Sequence, residues 1–220
     1  MQHTRRSLLA GAAAAGVVGA AGCLGGDSDS ELDASGYDCD LEEPASPDLD
    51  YRPTLGDPNA DVVVQAFEDF TCGHCATYKL QEFPVIREEY IETDEIRYEH
   101  WDFPIPVDET WGAVPVASAA RGVGAREGDE AFTTFTSTVY ESHGSYDGQA
   151  IAEAADAAGA DPCAALADAQ FSAYETVLMS DRDEGESMGV SGTPTIFVNG
   201  TPVQDGYDAE TVMAAIDDAL

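Results

Sequence analysis

The chain has 220 residues, of which 44% are hydrophobic, which is enough for one domain with a substantial core. Its 43 Asp and Glu residues outnumber 9 Lys and Arg residues, giving a formal net charge of −34. A surface of this charge repels phosphate backbones and anionic membranes, so the composition excludes nucleic acid as a partner.

The acidic residues are spread through segments with clear apolar periodicity. Blocks of acid can instead mark disorder, but here the pattern is similar to that of folded proteins from salt-in halophiles, which are rich in Asp and Glu and poor in lysine. Lys79 is the only lysine. Multimolar salt screens the repulsion, since the Debye length falls to about 3 Å at 1 M. The sequence therefore predicts a halophilic protein.

The N-terminus has the features of an export signal. Arg5 and Arg6 precede a weakly hydrophobic stretch of Ala, Gly and Val, and no acidic residue occurs before Asp27. The arginine pair resembles a twin-arginine signal. The apolar stretch is too short and too rich in glycine for a good membrane-spanning helix. Residues 1–22 are therefore predicted to be a signal peptide.

The signal ends in Ala21-Gly22-Cys23, which resembles a lipobox. In that interpretation Cys23 becomes the lipidated first residue of the mature protein, which contacts the outer face of the cell membrane through its lipid anchor only. Ordinary cleavage beside an incidental cysteine is the alternative. Residues 23–53 lack a helix or strand period and are rich in Asp, Ser, Gly, Glu and Pro, which predicts an acidic flexible tether. Residues 54–220 are then the folded domain.

The first half of the domain is predicted to be a β-α-β unit. Residues 61–67 form a short β-branched run bounded by polar residues, which is typical of a buried strand. A helix is predicted from near Cys72 to about Tyr90, with a possible kink at Pro84. Residues 96–101 predict a second strand. A crossover helix between them favours parallel pairing.

Helices are predicted from about residue 110 to residue 188. Asp129, Asp147 and Asp161 each precede a helical pattern and are candidate N-caps. Asp161 is followed by proline at the first helical position, which strengthens that assignment. We expect the helix that begins there to continue to Met188.

The end of the chain returns to strands. Residues 195–198 form a β-run, and Asn199 with Gly200 is a strong two-residue hairpin turn before a partner strand at residues 201–203. Asp208 is a candidate cap for a final helix. The predicted order is β-α-β, then helices, then β-β-α.

The motif Cys72-Gly73-His74-Cys75 lies at the start of the first helix. Two cysteines three residues apart share one face of a helix turn, within reach of a disulfide. The unpaired N–H groups and partial positive charge of the helix N-terminus favour a thiolate on Cys72, the species that attacks disulfides. The motif predicts a thiol–disulfide oxidoreductase. A static disulfide and a metal site are the alternatives, but adjacent His74 and Cys75 do not easily reach one ion, so we predict no metal and no cofactor.

Three stretches of the sequence resemble the DsbA family of extracytoplasmic thiol–disulfide oxidoreductases. They are residues 67–75 (FEDFTCGHC), 98–104 (YEHWDFP) and 189–200 (GVSGTPTIFVNG). The resemblance covers residues 61–220. It implies an α/β, thioredoxin-like fold with a helical insertion between the β-α-β and β-β-α halves.

The resemblance also implies roles for individual residues. Cys72 would be the attacking cysteine, Cys75 the more buried resolving cysteine, and His74 a stabiliser of the Cys72 thiolate. Pro194 would be a cis-proline beside the active site, and Thr193 would present backbone groups to an extended substrate.

The function implied is oxidation of dithiols in exported proteins or peptides. A redox partner, which the sequence does not identify, would then reset the Cys72–Cys75 couple. Gly73 departs from the pattern, because many DsbA relatives have proline there and Cys-Gly-His-Cys resembles disulfide isomerase. A reductase or isomerase, or a non-catalytic lipoprotein that binds peptide or metal, are the alternatives.

Two further cysteines, Cys39 and Cys163, lie outside the motif. They either pair as a structural disulfide between the tether and the insertion, or remain a free thiol and a small buried apolar residue. The spacing along the chain does not decide between these alternatives.

Four other polar residues stand out near the predicted site or in the insertion. His100 and His143 are interpreted as hydrogen-bonded structural or surface residues. Glu68 and Asp69 precede the motif, and one of them would be a proton acceptor if it lay near the buried cysteine. We favour solvated loop acids for both.

Overall fold

The structure is a computed structural model that describes residues 37, 39–105, 112–204 and 206–220. The predicted signal peptide at residues 1–22, the lipidation site at Cys23 and the predicted start of the insertion at residue 110 lie outside the described residues. Among the helices that are described, none combines the length and the apolar character needed to cross a membrane.

A five-stranded mixed sheet forms the centre of the fold. Its strands are β1 (Thr54–Gly56), β2 (Val63–Glu68), β3 (Arg97–Asp102), β4 (Thr195–Val198) and β5 (Thr201–Pro202). The spatial order is β1-β3-β2-β4-β5. β2 and β3 are parallel, as predicted, and every other pair is antiparallel. β2 therefore lies in the middle of the sheet, and the loop that leaves its end leads directly to the Cys72 motif.

Eight α-helices are described around the sheet. They are α1 (Gly73–Thr77), α2 (Phe83–Ile86), α3 (Ala113–Glu127), α4 (Asp129–Tyr140), α5 (Gly148–Ala157), α6 (Pro162–Gln170), α7 (Glu175–Met188) and α8 (Ala209–Asp217). Two π-helical segments, Tyr78–Glu82 and Arg87–Ile91, follow α1 and α2, so that the predicted helix after Cys72 is continuous but irregular. Helices α3 to α7 form the insertion. The thioredoxin-like α/β fold class is thus confirmed.

The helix predicted from Asp161 to Met188 is in fact two helices, and that prediction was wrong. The chain leaves helical geometry between α6 and α7, where Ser172 has a φ of 47°. The turn places Tyr174 in the core at 2% exposure, and its backbone N–H donates to Ser118 Oγ. Burial of this large side chain offsets the local cost of a left-handed residue.

Three of the four predicted N-caps are confirmed. The carboxylates of Asp147, Asp161 and Asp208 each accept a backbone N–H bond at the start of their helices. Asp129 is different: Gly128 occupies the cap, and Asp129 is the first residue of α4. Its carboxylate instead accepts from Tyr51 Oη at 2.8 Å and from the Thr54 N–H at 3.1 Å. A tertiary contact has displaced the local one.

The residues that precede β1 contact the domain. A disulfide joins Cys39 to Cys163 in α6, with 5.5 Å between the Cα atoms. Arg52 lies over the Trp101 ring at 3.5 Å and pairs with Asp181 at 2.6 Å. Residues 39–53, which the sequence assigns to a flexible tether, are thus fastened to the insertion and the sheet.

Among the described residues, the two largest apolar cores lie against the sheet and within the insertion. One core lies between the sheet and the helices after β2 and at the C-terminus, and includes Val64, Tyr98 and Ile196. The other fills the insertion and also includes Phe70 and Cys75. Residues flanking the first cysteine are therefore anchored in the insertion rather than in the sheet alone.

A buried arginine connects the insertion to the sheet. Arg121 in α3 is 0% exposed and donates to Asp102 at 2.8 Å, to Asp181, and to the Tyr51 carbonyl at 2.8 Å. The two carboxylates are themselves 2% exposed, and their charges are balanced by Arg121 together with Arg52, which also pairs with Asp181. Removing one member of such a group leaves the others buried and uncompensated.

We expect Arg121→Met to destabilise the protein by about 3–5 kcal/mol, because it leaves Asp102 and Asp181 without their central cation. The free energy of unfolding by denaturant at high salt measures this effect. Arg87→Met is the matched control, since the Arg87 partners are exposed and such pairs contribute about 1 kcal/mol or less. Equal losses in the two variants would contradict this account of the network.

Candidate active site

Cys72 is the N-cap of α1 and is partly exposed, with extended backbone angles of φ −86° and ψ 117°. Cys75 lies one turn later and is 0% exposed. Both are free thiols in this structure. The motif thus places the Cys72 sulfur at the surface, at the N-terminus of a helix that presents N–H groups to it. The Cys75 sulfur lies inside the insertion core.

The surroundings of Cys72 favour its thiolate. They lower its pKa to about 5, first through a hydrogen bond from the Cys75 thiol, and against the opposing effect of burial. Donation from Thr193 and the backbone N–H groups of Cys75 and His74 adds to the effect. Cys72 is therefore ionised at neutral pH, which gives both a ready nucleophile and a good leaving group.

Cys75 has the opposite environment. Burial raises the pKa of its thiol, and the hydrogen bond to Cys72 and the negative charge of Glu68 raise it further. Its Sγ accepts the Asp69 backbone N–H at 3.4 Å. Cys75 therefore keeps its proton while Cys72 loses its own.

The residues predicted to bind substrate lie beside the exposed sulfur. Cys72 Sγ is 3.1 Å from the Thr193 carbonyl oxygen, and the Thr193–Pro194 peptide bond is cis. Thr193 Oγ1 is buried and lacks a hydrogen-bond partner among the described residues. Its hydroxyl has no other acceptor within the described part of the chain and can donate to the Cys72 thiolate, which is the contribution of Thr193 to the low pKa of Cys72. His74 is exposed, and its ring lies 5.6 Å from that of Tyr207.

The interpretation of Glu68 as a solvated loop acid was wrong, because Glu68 is 1% exposed at the end of β2. Its Oε1 lies 2.9 Å from Lys79 Nζ and 3.2 Å from His100 Nδ1. Burial raises the pKa of Glu68, but the charges of Lys79 and His100 outweigh burial and leave that pKa below its usual value. Glu68 Oε2 is buried without a hydrogen-bond partner among the described residues. Glu68 is therefore ionised, and its negative charge raises the pKa of Cys75.

Asp69 is also buried, at 1% exposure, so the same interpretation was wrong for it. Its Oδ1 accepts from the backbone N–H and the hydroxyl of Thr71, both at 2.6 Å, and its Oδ2 accepts from the Ile105 N–H. Burial raises the pKa of Asp69 although these bonds lower it. Asp69 thus shapes the loop rather than facing solvent.

The two other histidines have different positions. His100 is buried between Glu68 and Asp102, so its interpretation as a hydrogen-bonded structural residue holds. His143 lies in the turn after α4, and its Nε2 bonds the Thr71 carbonyl at 3.1 Å, which places His143 beside the loop that leads into Cys72. Sequence reasoning gave no sign of this contact, because 72 residues separate the partners.

Other contributors to the site were also missed from the sequence. Lys79, Tyr140, Tyr146 and Tyr207 have no motif of their own, and only their tertiary contacts identify them. Within the described residues, no group of three or more His, Cys, Asp or Glu side chains is arranged to hold a metal ion.

We expect the Cys72 thiolate to titrate with a midpoint near pH 5 when followed by its ultraviolet absorbance. Cys75→Ala removes the leading cause, and hydrogen bonds to charged groups contribute about 1.5–3 kcal/mol, so the midpoint should rise by about one to two pH units. Cys72→Ala is the control and should show no transition in this range. A wild-type midpoint at the ordinary thiol value would contradict the described geometry.

Solved structures of known proteins share this fold. The chain is similar to the crystal structure of oxidised BdbD from Bacillus subtilis, with a TM-score of 0.68 and 19% identity over 80% of this chain and 97% of that one. It is also similar to DsbA of Chlamydia trachomatis, with a TM-score of 0.67 and 20% identity over 76% of this chain and 91% of that one. These likenesses support the fold described above.

Sequence comparison gives related results. A probable disulfide bond formation protein D of Bacillus anthracis is 26% identical over 175 residues, which cover 76% of this chain and 77% of the relative. Disulfide bond formation protein D of Bacillus subtilis is 21% identical over 180 residues, or 79% of each chain. A family model described as thioredoxin matches residues 49–218, which include the whole described sheet and the Cys72 motif. The chain belongs to the thioredoxin family.

Proposed function

We propose that this protein is a thiol–disulfide oxidoreductase that oxidises dithiols of exported proteins. The observation that carries the proposal is the contrast within one helix turn between an accessible thiol of pKa about 5 and a sealed thiol whose pKa is raised. The names of the relatives, disulfide bond formation proteins, support the same activity. The cycle uses no metal and no cofactor beyond the two cysteines.

The cycle begins with the oxidised Cys72–Cys75 disulfide. A substrate thiolate attacks Cys72 Sγ, the bond between the two cysteines breaks, and the leaving Cys75 sulfur takes a proton that its raised pKa holds firmly. A second substrate thiolate then attacks the substrate sulfur of the mixed disulfide, and Cys72 leaves as a thiolate. The substrate dithiol has lost two electrons and two protons. The protein has gained both electrons and one proton, on Cys75, and the second proton is released to solvent because Cys72 leaves as a thiolate.

The two pKa values favour this direction of exchange. A thiol of low pKa is the better leaving group, so the second step releases the substrate disulfide readily. Protonation of Cys75 withdraws the competing nucleophile from the mixed disulfide. Glu68, which is ionised and has an unpaired oxygen, is proposed to exchange the Cys75 proton.

The substrate class follows from the groups around Cys72. The Thr193 backbone beside the sulfur suits an extended polypeptide that pairs with main-chain groups. His74 is proposed to contribute to stabilising the thiolate from the exposed side. A separate partner must reoxidise the Cys72–Cys75 dithiol by accepting its two electrons, and its identity is not fixed by this site.

The place of action is proposed from the N-terminal sequence. Residues 1–22 would direct export through a twin-arginine signal, and Cys23 would carry the lipid that holds the protein at the outer face of the membrane. Residues 24–36 would then separate the anchor from the fastened segment that begins near Cys39. The lysine-poor, acidic composition supports a halophilic source.

Substitution of each cysteine tests the activity. With a reduced two-cysteine peptide at high salt, Cys72→Ser should abolish turnover, because it removes the sulfur that forms the mixed disulfide. Cys75→Ser has no internal disulfide, so it is given the peptide in its oxidised form: Cys72 attacks the peptide disulfide, one peptide sulfur leaves as a thiolate, and the mixed disulfide at Cys72 should accumulate, detectable by mass spectrometry after an acid quench. The Cys39–Cys163 disulfide is present in both variants as an internal control for folding. If Cys72→Ser binds the peptide as tightly as the wild-type protein does, and the wild-type protein does not oxidise the peptide, the non-catalytic alternative is favoured.

Removal of salt tests the halophilic proposal. Lowering the salt from about 1 M to about 0.1 M lengthens the Debye length from about 3 Å to about 10 Å and restores repulsion among the acidic residues. We expect the melting temperature to fall as a result, since the net charge is −34. Adding sucrose at low salt controls for general effects of solutes. A melting temperature that does not depend on salt would contradict this proposal.

A further inference from the structure

The loop that leads into Cys72 is held by side chains from the helical insertion. Three consecutive backbone carbonyls each accept a hydrogen bond from that insertion. The bonds join Tyr140 Oη to the Asp69 carbonyl at 3.3 Å, Tyr146 Oη to the Phe70 carbonyl at 2.8 Å, and His143 Nε2 to the Thr71 carbonyl at 3.1 Å. We refer to Tyr140, His143 and Tyr146 as the carbonyl clamp.

We propose that the carbonyl clamp positions the active-site loop for thiol–disulfide exchange, so that these three residues of the insertion act on the reactivity of Cys72 without touching it. The inference rests on the proposed function. It assigns to the insertion a part in the chemistry of the dithiol, in addition to covering the sheet.

The carbonyls concerned lie between two regular elements. Residues 69–71 follow β2, which ends at Glu68, and precede the N-cap of α1. Their oxygens therefore have neither a strand nor a helix to bond, and buried carbonyls need a partner. Among them, the Asp69 carbonyl also accepts the Cys72 N–H at 3.0 Å. The clamp thus supplies hydrogen-bond donors to the carbonyls of residues 69–71, and this stretch of backbone determines where α1 begins.

The direction of these bonds matters for the thiolate. A carbonyl oxygen carries partial negative charge, and one that turned toward Cys72 Sγ would disfavour ionisation. An oxygen that is bonded to a donor from the insertion stays turned toward that donor. The carbonyls of residues 69–71 then add no negative charge to that of the Thr193 carbonyl oxygen, which already lies 3.1 Å from the sulfur, and the N–H groups of His74 and Cys75 lower the Cys72 pKa.

The clamp residues are in the right chemical state to donate. Burial is the main cause that raises the pKa of Tyr140 and of Tyr146, with nearby acidic groups adding to it, so both hydroxyls keep their protons. A carbonyl can only accept, so His143 Nε2 carries a hydrogen. The imidazole is also beside the motif, since a Cβ placed on Gly73 would lie 3.6 Å from His143 Cε1.

The rings of the clamp keep the donors in place. Tyr140 stacks on Phe70, with 4.9 Å between ring centroids and 17° between planes, and Phe70 is 1% exposed. His143 meets the Tyr146 ring edge-on at 6.1 Å. These contacts limit the freedom of each donor and so stabilise one conformation of the loop.

The test removes donors with little change of shape. Tyr146→Phe deletes one hydroxyl, His143→Leu deletes one N–H, and the double variant deletes both, while His143→Gln retains an N–H donor. Tyr90→Phe is the matched control, because the Tyr90 hydroxyl donates at 2.7 Å to Asp217, in α8. Each variant is measured at high salt for the Cys72 pKa by thiolate absorbance, for the rate of Cys72 alkylation by iodoacetamide, and for melting temperature.

We expect each single deletion to raise the Cys72 pKa by about half a unit to one unit, and the double variant to raise it further. His143→Gln should stay near the wild-type value. Tyr90→Phe should lower the melting temperature without moving the Cys72 pKa. If the double variant shifts the Cys72 pKa by less than about half a unit, the inference is overturned and the clamp serves stability alone.

These readouts do not depend on the proposed oxidase activity. The Cys72 pKa and the alkylation rate are measured without a protein substrate, so they report on the clamp even if peptide oxidation is absent. Conversely, loss of peptide oxidation in Cys72→Ser says nothing about the clamp. Failure of the inference and failure of the proposed function are therefore distinguishable.

Discussion

The site depends on one constraint: a single helix turn must hold two sulfurs in opposite environments. Cys72 has backbone N–H groups, the Cys75 thiol and solvent around it, whereas Cys75 has the insertion core and the negative charge of Glu68. Burial disfavours a thiolate at both cysteines. Cys72 is less buried than Cys75, and hydrogen-bond donors outweigh the effect of burial at Cys72 alone. Every step of the exchange follows from this difference.

The rest of the fold maintains that contrast. The central strand of the sheet, β2, leads through residues 69–71 to Cys72. The insertion buries Cys75 and also holds the loop of residues 69–71. Arg121 then joins the insertion to the sheet through Asp102, which also contacts the buried His100. In a protein of such acidic composition, two of the few cations, Lys79 and Arg121, are buried beside carboxylates.

Local features of the sequence were predictable, and tertiary ones were not. Asn199 and Gly200 form the expected turn with φ values of 48° and 74°, because the conformation depends on those two residues alone. The burial of Glu68 was missed because its compensating charges come from Lys79 and His100, on separate elements. The break at Ser172 was missed for a related reason, since it allows Tyr174 to pack in the core and its N–H to reach Ser118, 56 residues away along the chain.

The equilibrium reduction potential of the Cys72–Cys75 couple, measured against glutathione at high salt, tests the central claim most directly. Because a stabilised Cys72 thiolate favours the reduced form, the account predicts a couple clearly more oxidising than thioredoxin, whose potential is about −270 mV. A potential at or below that value would contradict the assignment as an oxidase and would favour a reductase.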